Sequence, residues 1–268
     1  MKRIAAIILA ALLACMSASA QVESVIFPFT EAAHDVISAS MAGAVLLDGD
    51  SDIRASYQSW APSASSFYSL NGSYTFNGKV TVKAGGSYGI ADIEGLKPSE
   101  MFAGAALGYR FAESFGAEVG AKYVSSTLAP GYTLSGFCAD ALMKAWFGNA
   151  RLGAGVTNLG PAVEGFNLPS ALVLAAAYDR TVESNPDTHR IVVEADIKYY
   201  LYGEVGASAG LAYTYNNLVS VRAGFHAGGI VANHVSIGLG FKFKGVHIDG
   251  CYLAGLSNSF CVGLGYAF

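Results

Sequence analysis

Lys79-Val80-Thr81-Val82-Lys83-Ala84-Gly85-Gly86-Ser87-Tyr88 is the stretch that decides the fold. Val80, Val82, Ala84, Gly86 and Tyr88 fall on one side of an extended chain, and Lys79, Thr81, Lys83, Gly85 and Ser87 on the other. Successive side chains of a strand point to opposite faces, so one face is apolar and one is polar or small. Outward from it the pattern recurs. Ile191, Val193, Ala195, Ile197 and Tyr199 oppose Glu194, Asp196 and Lys198. Val219, Val221, Ala223 and Phe225 oppose Ser220, Arg222, Gly224 and His226. Val235, Ile237, Leu239, Phe241 and Phe243 oppose His234, Ser236, Gly238, Gly240 and Lys242. Strands of about ten residues suit a tilted bilayer crossing, whereas soluble sandwiches use about five or six.

Composition narrows the choice further. Of 268 residues, 53% are hydrophobic and only 13% charged, too apolar a chain for disorder. Sixteen basic against twenty acidic residues give −4, which argues against a nucleic-acid partner. A chain this greasy, with one helical apolar run at its N-terminus, reads as a membrane β-barrel whose apolar face meets lipid.

That N-terminal run reads as an export signal, 1–20. Lys2 and Arg3 form its charged region, Ile4 to Ala14 its apolar region, and Ala18 and Ala20 its cleavage site. Leu12-Leu13-Ala14-Cys15 has the outline of a lipoprotein box, but the later site is cleaner. Residues 21–51 then form a short periplasmic or plug segment and 52–268 the barrel, in the outer membrane of a Gram-negative bacterium. Three mature cysteines are no disulfide scaffold.

Turn signals divide the barrel into about fourteen antiparallel strands in up-and-down order: 52–60, 66–76, 79–90, 101–112, 115–126, 135–146, 150–157, 171–180, 188–200, 203–215, 218–228, 234–243, 245–254 and 259–268. Short turns such as Asn77-Gly78, Gly148-Asn149 and Lys244-Gly245 follow even strands, and longer segments at 91–100, 127–134 and 158–170 follow odd ones. Short periplasmic turns and long outer loops are the expected phase. The segment 181–187 breaks it, being long where a tight turn is due. Strand 171–180 is ambiguous, because both faces of Ala171 to Tyr178 are apolar. Tyr199, Tyr200, Tyr202, Tyr213 and Tyr215 suggest an interfacial girdle. Phe268, ending an alternating last strand, has the form of a barrel-insertion signal.

Asn158-Leu159-Gly160-Pro161 closes the strand Arg151 to Thr157 and is followed by Leu168-Pro169-Ser170. That arrangement resembles the PorV/PorQ family of FadL-like outer-membrane barrels from Bacteroidetes. Val221-Arg222-Ala223-Gly224-Phe225, Ser236 to Phe243, and Asp140 on the preceding strand resemble it too. The resemblance covers roughly 101–268, and more weakly 52–90 through Ser56-Tyr57-Gln58-Ser59-Trp60. It implies a non-enzymatic accessory or scaffold role in type IX secretion and surface attachment. Its partners would be translocon or attachment subunits and cargo C-terminal domains. The alternative is a FadL-like channel for small hydrophobic compounds. Residues 41–51 lack the Asn-Pro-Ala motif usual in the plug of such barrels.

Chemistry is sparse. His226 and Ser236 both face the lumen, but no nucleophile elbow supports a hydrolase. His226, His234 and His247 face inward, yet nothing sets them at one height as metal ligands. No catalytic residue, cofactor or metal is assigned. The charged lumen residues, among them Lys79, Lys83, Glu118, Lys122, Glu194, Asp196, Lys198, Arg222, Lys242 and Asp249, have mixed signs and read as ion pairs rather than a selective ring. Cys251 and Cys261 stand opposite each other if the last hairpin is centred on Leu256. Opposed Cβ atoms, about 4.5–5.5 Å apart, are slightly wide for a relaxed bridge, so adjacency is expected and bridging left open.

Overall fold

The computed structural model describes residues 25–43, 46, 51–60, 65–92, 96–255 and 259–268. The export signal, its cleavage site, Cys15 and the hairpin tip at Leu256 lie outside them. Fourteen antiparallel strands form one closed barrel in which every strand pairs with its sequence neighbours and β1 pairs with β14. They are β1 (Asp52–Trp60), β2 (Ser65–Phe76), β3 (Val80–Ala91), β4 (Ser99–Ala112), β5 (Phe115–Ala129), β6 (Tyr132–Phe147) and β7 (Ala150–Leu159). The remainder are β8 (Ala171–Ser184), β9 (Asp187–Tyr200), β10 (Val205–Tyr215), β11 (Val219–Gly228), β12 (His234–Phe243), β13 (Val246–Ala254) and β14 (Ser259–Ala267).

Alternation sorts the side chains as the period-two pattern requires. Leu70, Leu107, Val119, Leu174, Ile237, Leu239 and Leu264 point outward and are exposed. An unbroken apolar outer wall needs lipid around it, and closure leaves no unpaired strand edge in the hydrocarbon. No helix among the described residues is long and apolar enough to cross a membrane. The chain is an outer-membrane β-barrel.

Two segments differ from the turn-based division. β8 runs to Ser184 and β9 begins at Asp187, with Ser184 opposite Asp187, so the 181–187 segment is strand apart from Asn185-Pro186. Likewise 127–134 is no long loop: β5 and β6 continue to a tip at Pro130-Gly131. At 181–184 only Val182 is apolar, which leaves the alternation weak, and at 127–134 a tight Pro130-Gly131 turn interrupts it. Tyr200 is also no girdle residue, being buried inside the barrel, whereas Tyr199, Tyr213 and Tyr215 are exposed outside.

Inside the barrel runs the N-terminal segment. Val25 bridges Asn167 in the β7–β8 loop, a 3₁₀ turn spans Pro28–Glu31, and a short helix α1 spans Val36–Ser40. Asp35 caps α1 by accepting from the Ser38 amide at 2.9 Å. Phe27 and Phe29 pack on Phe67, Val124, Leu134 and Leu168 near the outer end. Val36 and Ala39 pack on Cys251, Leu253 and Cys261. Met41 meets Val192 and Ala212, and Leu46 meets Ala175 and Ala177. The last contact explains why β8 is apolar on both faces: its inner face serves the plug.

Candidate functional site

Asn158 is the hub of a buried polar cluster joining plug to wall. β6–β7 pairing slips between Ala139/Leu159 and Ala141/Val156, so Thr157 and Asn158 together oppose Asp140. That bulge, with Asn158 at φ 53°, re-aims its side chain into the lumen. The Asn158 amide Nδ2 donates to Glu31 Oε1, and its Oδ1 accepts from Lys122 Nζ at 2.6 Å. Its backbone N–H donates to Asp140 Oδ1 at 2.8 Å, and its carbonyl accepts from Ser170 Oγ at 2.7 Å. Glu31 Oε2 accepts from Lys198 Nζ and from the Tyr200 hydroxyl, each at 2.8 Å. Lys122 closes the set through Asp140 at 2.9 Å.

Burial by itself would raise the Glu31 carboxyl. The Lys198 ammonium, helped by Tyr200 and Lys122, outweighs it and holds the group below its ordinary value. A charged Glu31 therefore fastens the plug. Next to it, His34 is buried between Phe67 and Phe102, its Nε2 donating to the Phe29 carbonyl at 2.7 Å. Burial pushes His34 down to about 4, partly offset by that carbonyl, so the ring is neutral.

Lower down, glycines make room for the plug. A Cβ on Gly238 would lie 2.3 Å from Ser40 Cβ, on Gly224 2.5 Å from the Met41 carbonyl carbon, and on Gly263 2.8 Å from Val36 Cγ1. Glu194 accepts from the Leu46 amide at 2.5 Å. The wall from β2 to β6 differs. Cβ atoms added at Gly85, Gly104, Gly108 and Gly120 would meet only residues of their own or adjacent strands. Two open cavities of about 210 and 260 Å³ lie along this wall and share Ser73 and Lys83. The first is lined near the periplasmic turns by Lys79, Arg110 and Trp146, and the second reaches Lys122 and Asp140.

The residues singled out by sequence divide in place. Asn158, Leu168 and Pro169 are buried at the plug, whereas Leu159 is exposed on the outer wall and Pro161 at the loop. Gly160 packs so tightly that a Cβ would sit 2.4 Å from the Phe137 carbonyl oxygen. Phe268 is exposed and stacks on Tyr74 at 5.9 Å, its amide donating to the Ser51 carbonyl. Cys251 pairs with Cys261 in register, and the two are joined as a disulfide with Cα atoms 5.1 Å apart. Cys138 is free and buried.

His226 and Ser236 are not partners: His226 bonds Ser208 at 3.0 Å and the Gly228 carbonyl at 2.9 Å. His226 stacks on His234 at 5.3 Å, while His247 lies beside Asp249 and Asp52. The three histidines therefore do not converge. Glu31 escaped the sequence reading because it lies in Phe27-Pro28-Phe29-Thr30-Glu31, which has no strand period. Tyr200 was legible in principle: it follows Tyr199, so one of the two must face inward.

Among solved structures the chain is similar to the outer membrane protein Omp33 of Acinetobacter baumannii, at 10% identity and TM-score 0.57, over 82% of this chain and 98% of that one. It is also similar to the toluene transporter TodX of P. putida, at 12% identity and TM-score 0.55, over 89% of this chain and 99% of that one. At such identities the likeness is one of fold. No protein-family model matches the sequence. No curated protein matches it either.

Proposed function

We propose that this protein is a non-enzymatic outer-membrane channel for small compounds, closed at rest by its own N-terminal segment. One observation carries the reading: the lumen holds a plug fastened against β7 to β14, whose Phe27, Phe29 and His34 also cover β2 to β6 near the outer end, and it leaves an unfilled, polar space along the rest of β2 to β6. A FadL-like channel accords with the fold shared with TodX, described as a toluene transporter. The path here is lined by Gly, Ser, Thr and charged residues, which suits a solute with a polar group better than a bare hydrocarbon. Proteoliposomes bearing the full chain should take up small solutes, and faster once Glu31 is replaced. No uptake in either case would overturn the channel.

A second reading follows from the PorV/PorQ resemblance: an accessory barrel for type IX export that handles cargo C-terminal domains. Leu159 and Pro161, exposed at the outer rim, are what such a partner would meet. Recovery of translocon or attachment subunits from intact outer membranes would favour this reading over the channel.

A further inference from the structure

We propose that the periplasmic end of the open path is a binding site for small organic anions. The proposal rests on the channel reading in one respect, since it names the charge of the solute that would travel there.

Among the described residues that line it, the cavity between β2 and β6 carries Lys79, Lys83, Arg110 and Lys144 and one carboxylate, Glu118. Lys83 and Lys144 both reach the same Glu118 oxygen, at 2.8 and 3.0 Å. Arg110 lies over the Trp146 ring, 4.7 Å from its centroid, and its guanidinium donates to the Glu113 carbonyl, a neutral acceptor. The Lys79 ammonium, beside the β2–β3 turn, has no hydrogen-bond or ion-pair partner among the described residues.

This local excess of positive charge stands out in a chain whose net charge is −4. A cleft lined by one sign, with low-dielectric walls, focuses field lines and concentrates the opposite ion. The sequence shows mixed signs; the fold separates them by position, gathering cations at this mouth. The cavity, about 210 Å³, is on the scale of a small single-ring molecule and not of a large ligand. Trp146 supplies an aromatic face beside the cations, so a carboxylate attached to a ring would satisfy both kinds of surface.

Trp146 also provides the readout. The chain has two tryptophans, so Trp60→Phe leaves Trp146 as the sole indole. Full-length protein in detergent micelles is titrated with benzoate and, separately, with benzyl alcohol, an uncharged molecule of similar size. Benzoate should change Trp146 fluorescence saturably, at least about tenfold more tightly than benzyl alcohol, and more weakly at high salt. Lys79→Glu should weaken benzoate about tenfold, and Lys79→Arg should retain it. Equal response to the two probes, or indifference to Lys79→Glu in a normally folded barrel, would overturn the site. Uptake into proteoliposomes is measured on the same preparations. Benzoate binding without uptake of any solute would support the site and overturn the channel, whereas uptake of neutral solutes without benzoate binding would do the reverse.

Discussion

On the wall from β7 to β14 the inward glycines Gly153, Gly210, Gly224, Gly238 and Gly263 face atoms of the plug; on the wall from β2 to β6 Gly85, Gly104, Gly108 and Gly120 face the neighbouring strand. The residue is the same and the consequence is opposite. In the first region the missing Cβ admits a third layer, with Ser40, Met41 and Val36 seated against Gly238, Gly224 and Gly263. In the second it admits side chains of the wall itself, Asn71 against Gly85 and Lys122 against Gly104, with the open cavities beside them. A glycine-rich wall thus admits a third layer only where a segment exists to fill it, and the segment carrying Val36, Met41 and Leu46 is that layer.

The largest expected effect breaks the first region at its fastening. Glu31→Ala leaves Lys198 buried without its carboxylate, which should cost plug attachment about 3–5 kcal/mol. Protease cutting within residues 25–43, in a barrel that still shifts on heating, is the readout. Protection equal to that of the unaltered protein would remove Glu31 from the account.

Acid should loosen the same contact. A free His34 takes a proton near its ordinary 6.5, whereas the docked ring resists until about 4. The plug therefore has its full attachment above about pH 6.5 and loses it progressively as pH falls toward 4, by up to about 3 kcal/mol. Glu31, held low, adds a loss of the same sign at still lower pH. Hydrogen exchange at Val36 to Met41 should rise on acidification, and His34→Gln should flatten that profile.

Substituting glycines sharpens the comparison itself. Gly238→Ala drives a methyl into Ser40 and should cost about 1–3 kcal/mol. Gly108→Ala meets Thr81 at an ordinary 3.5 Å and should fall within about 0.5 kcal/mol of the unaltered protein. Thermal unfolding of the pair checks both; equal losses would erase the difference between the walls.

The smallest effect concerns the Cys251–Cys261 bridge, which joins two strands already paired in register. Thiol titration of the mature, denatured, unreduced chain should find one free thiol, Cys138. Three would exclude the bridge.

The barrel was legible because lipid outside and small or polar residues inside impose a period of two on nearly every strand. It failed where the ladder leaves the belt: Thr181 to Ser184 holds one apolar residue, Val182, and the alternation of Thr127 to Thr133 is interrupted by Pro130-Gly131, so strand there reads as loop. The cluster was half legible. Asn158 lies in a run that reads as a motif, and the opposed cysteines follow from hairpin symmetry. Glu31 and the descending plug have no period to read, since their shape is set by the cavity they fill. The axial separation of charge needs the register, because alternation says which face a lysine takes and not how high it stands.

The central claim is that the plug closes a channel and that the Glu31–Asn158 contact keeps it closed. Single-channel conductance in planar bilayers tests this most directly, comparing the full-length protein with its Glu31→Arg form, whose new charge faces Lys198 and Lys122. The account predicts rare, small openings for the unaltered barrel and frequent, larger ones for the variant. Identical conductance in two equally well-folded proteins would contradict it.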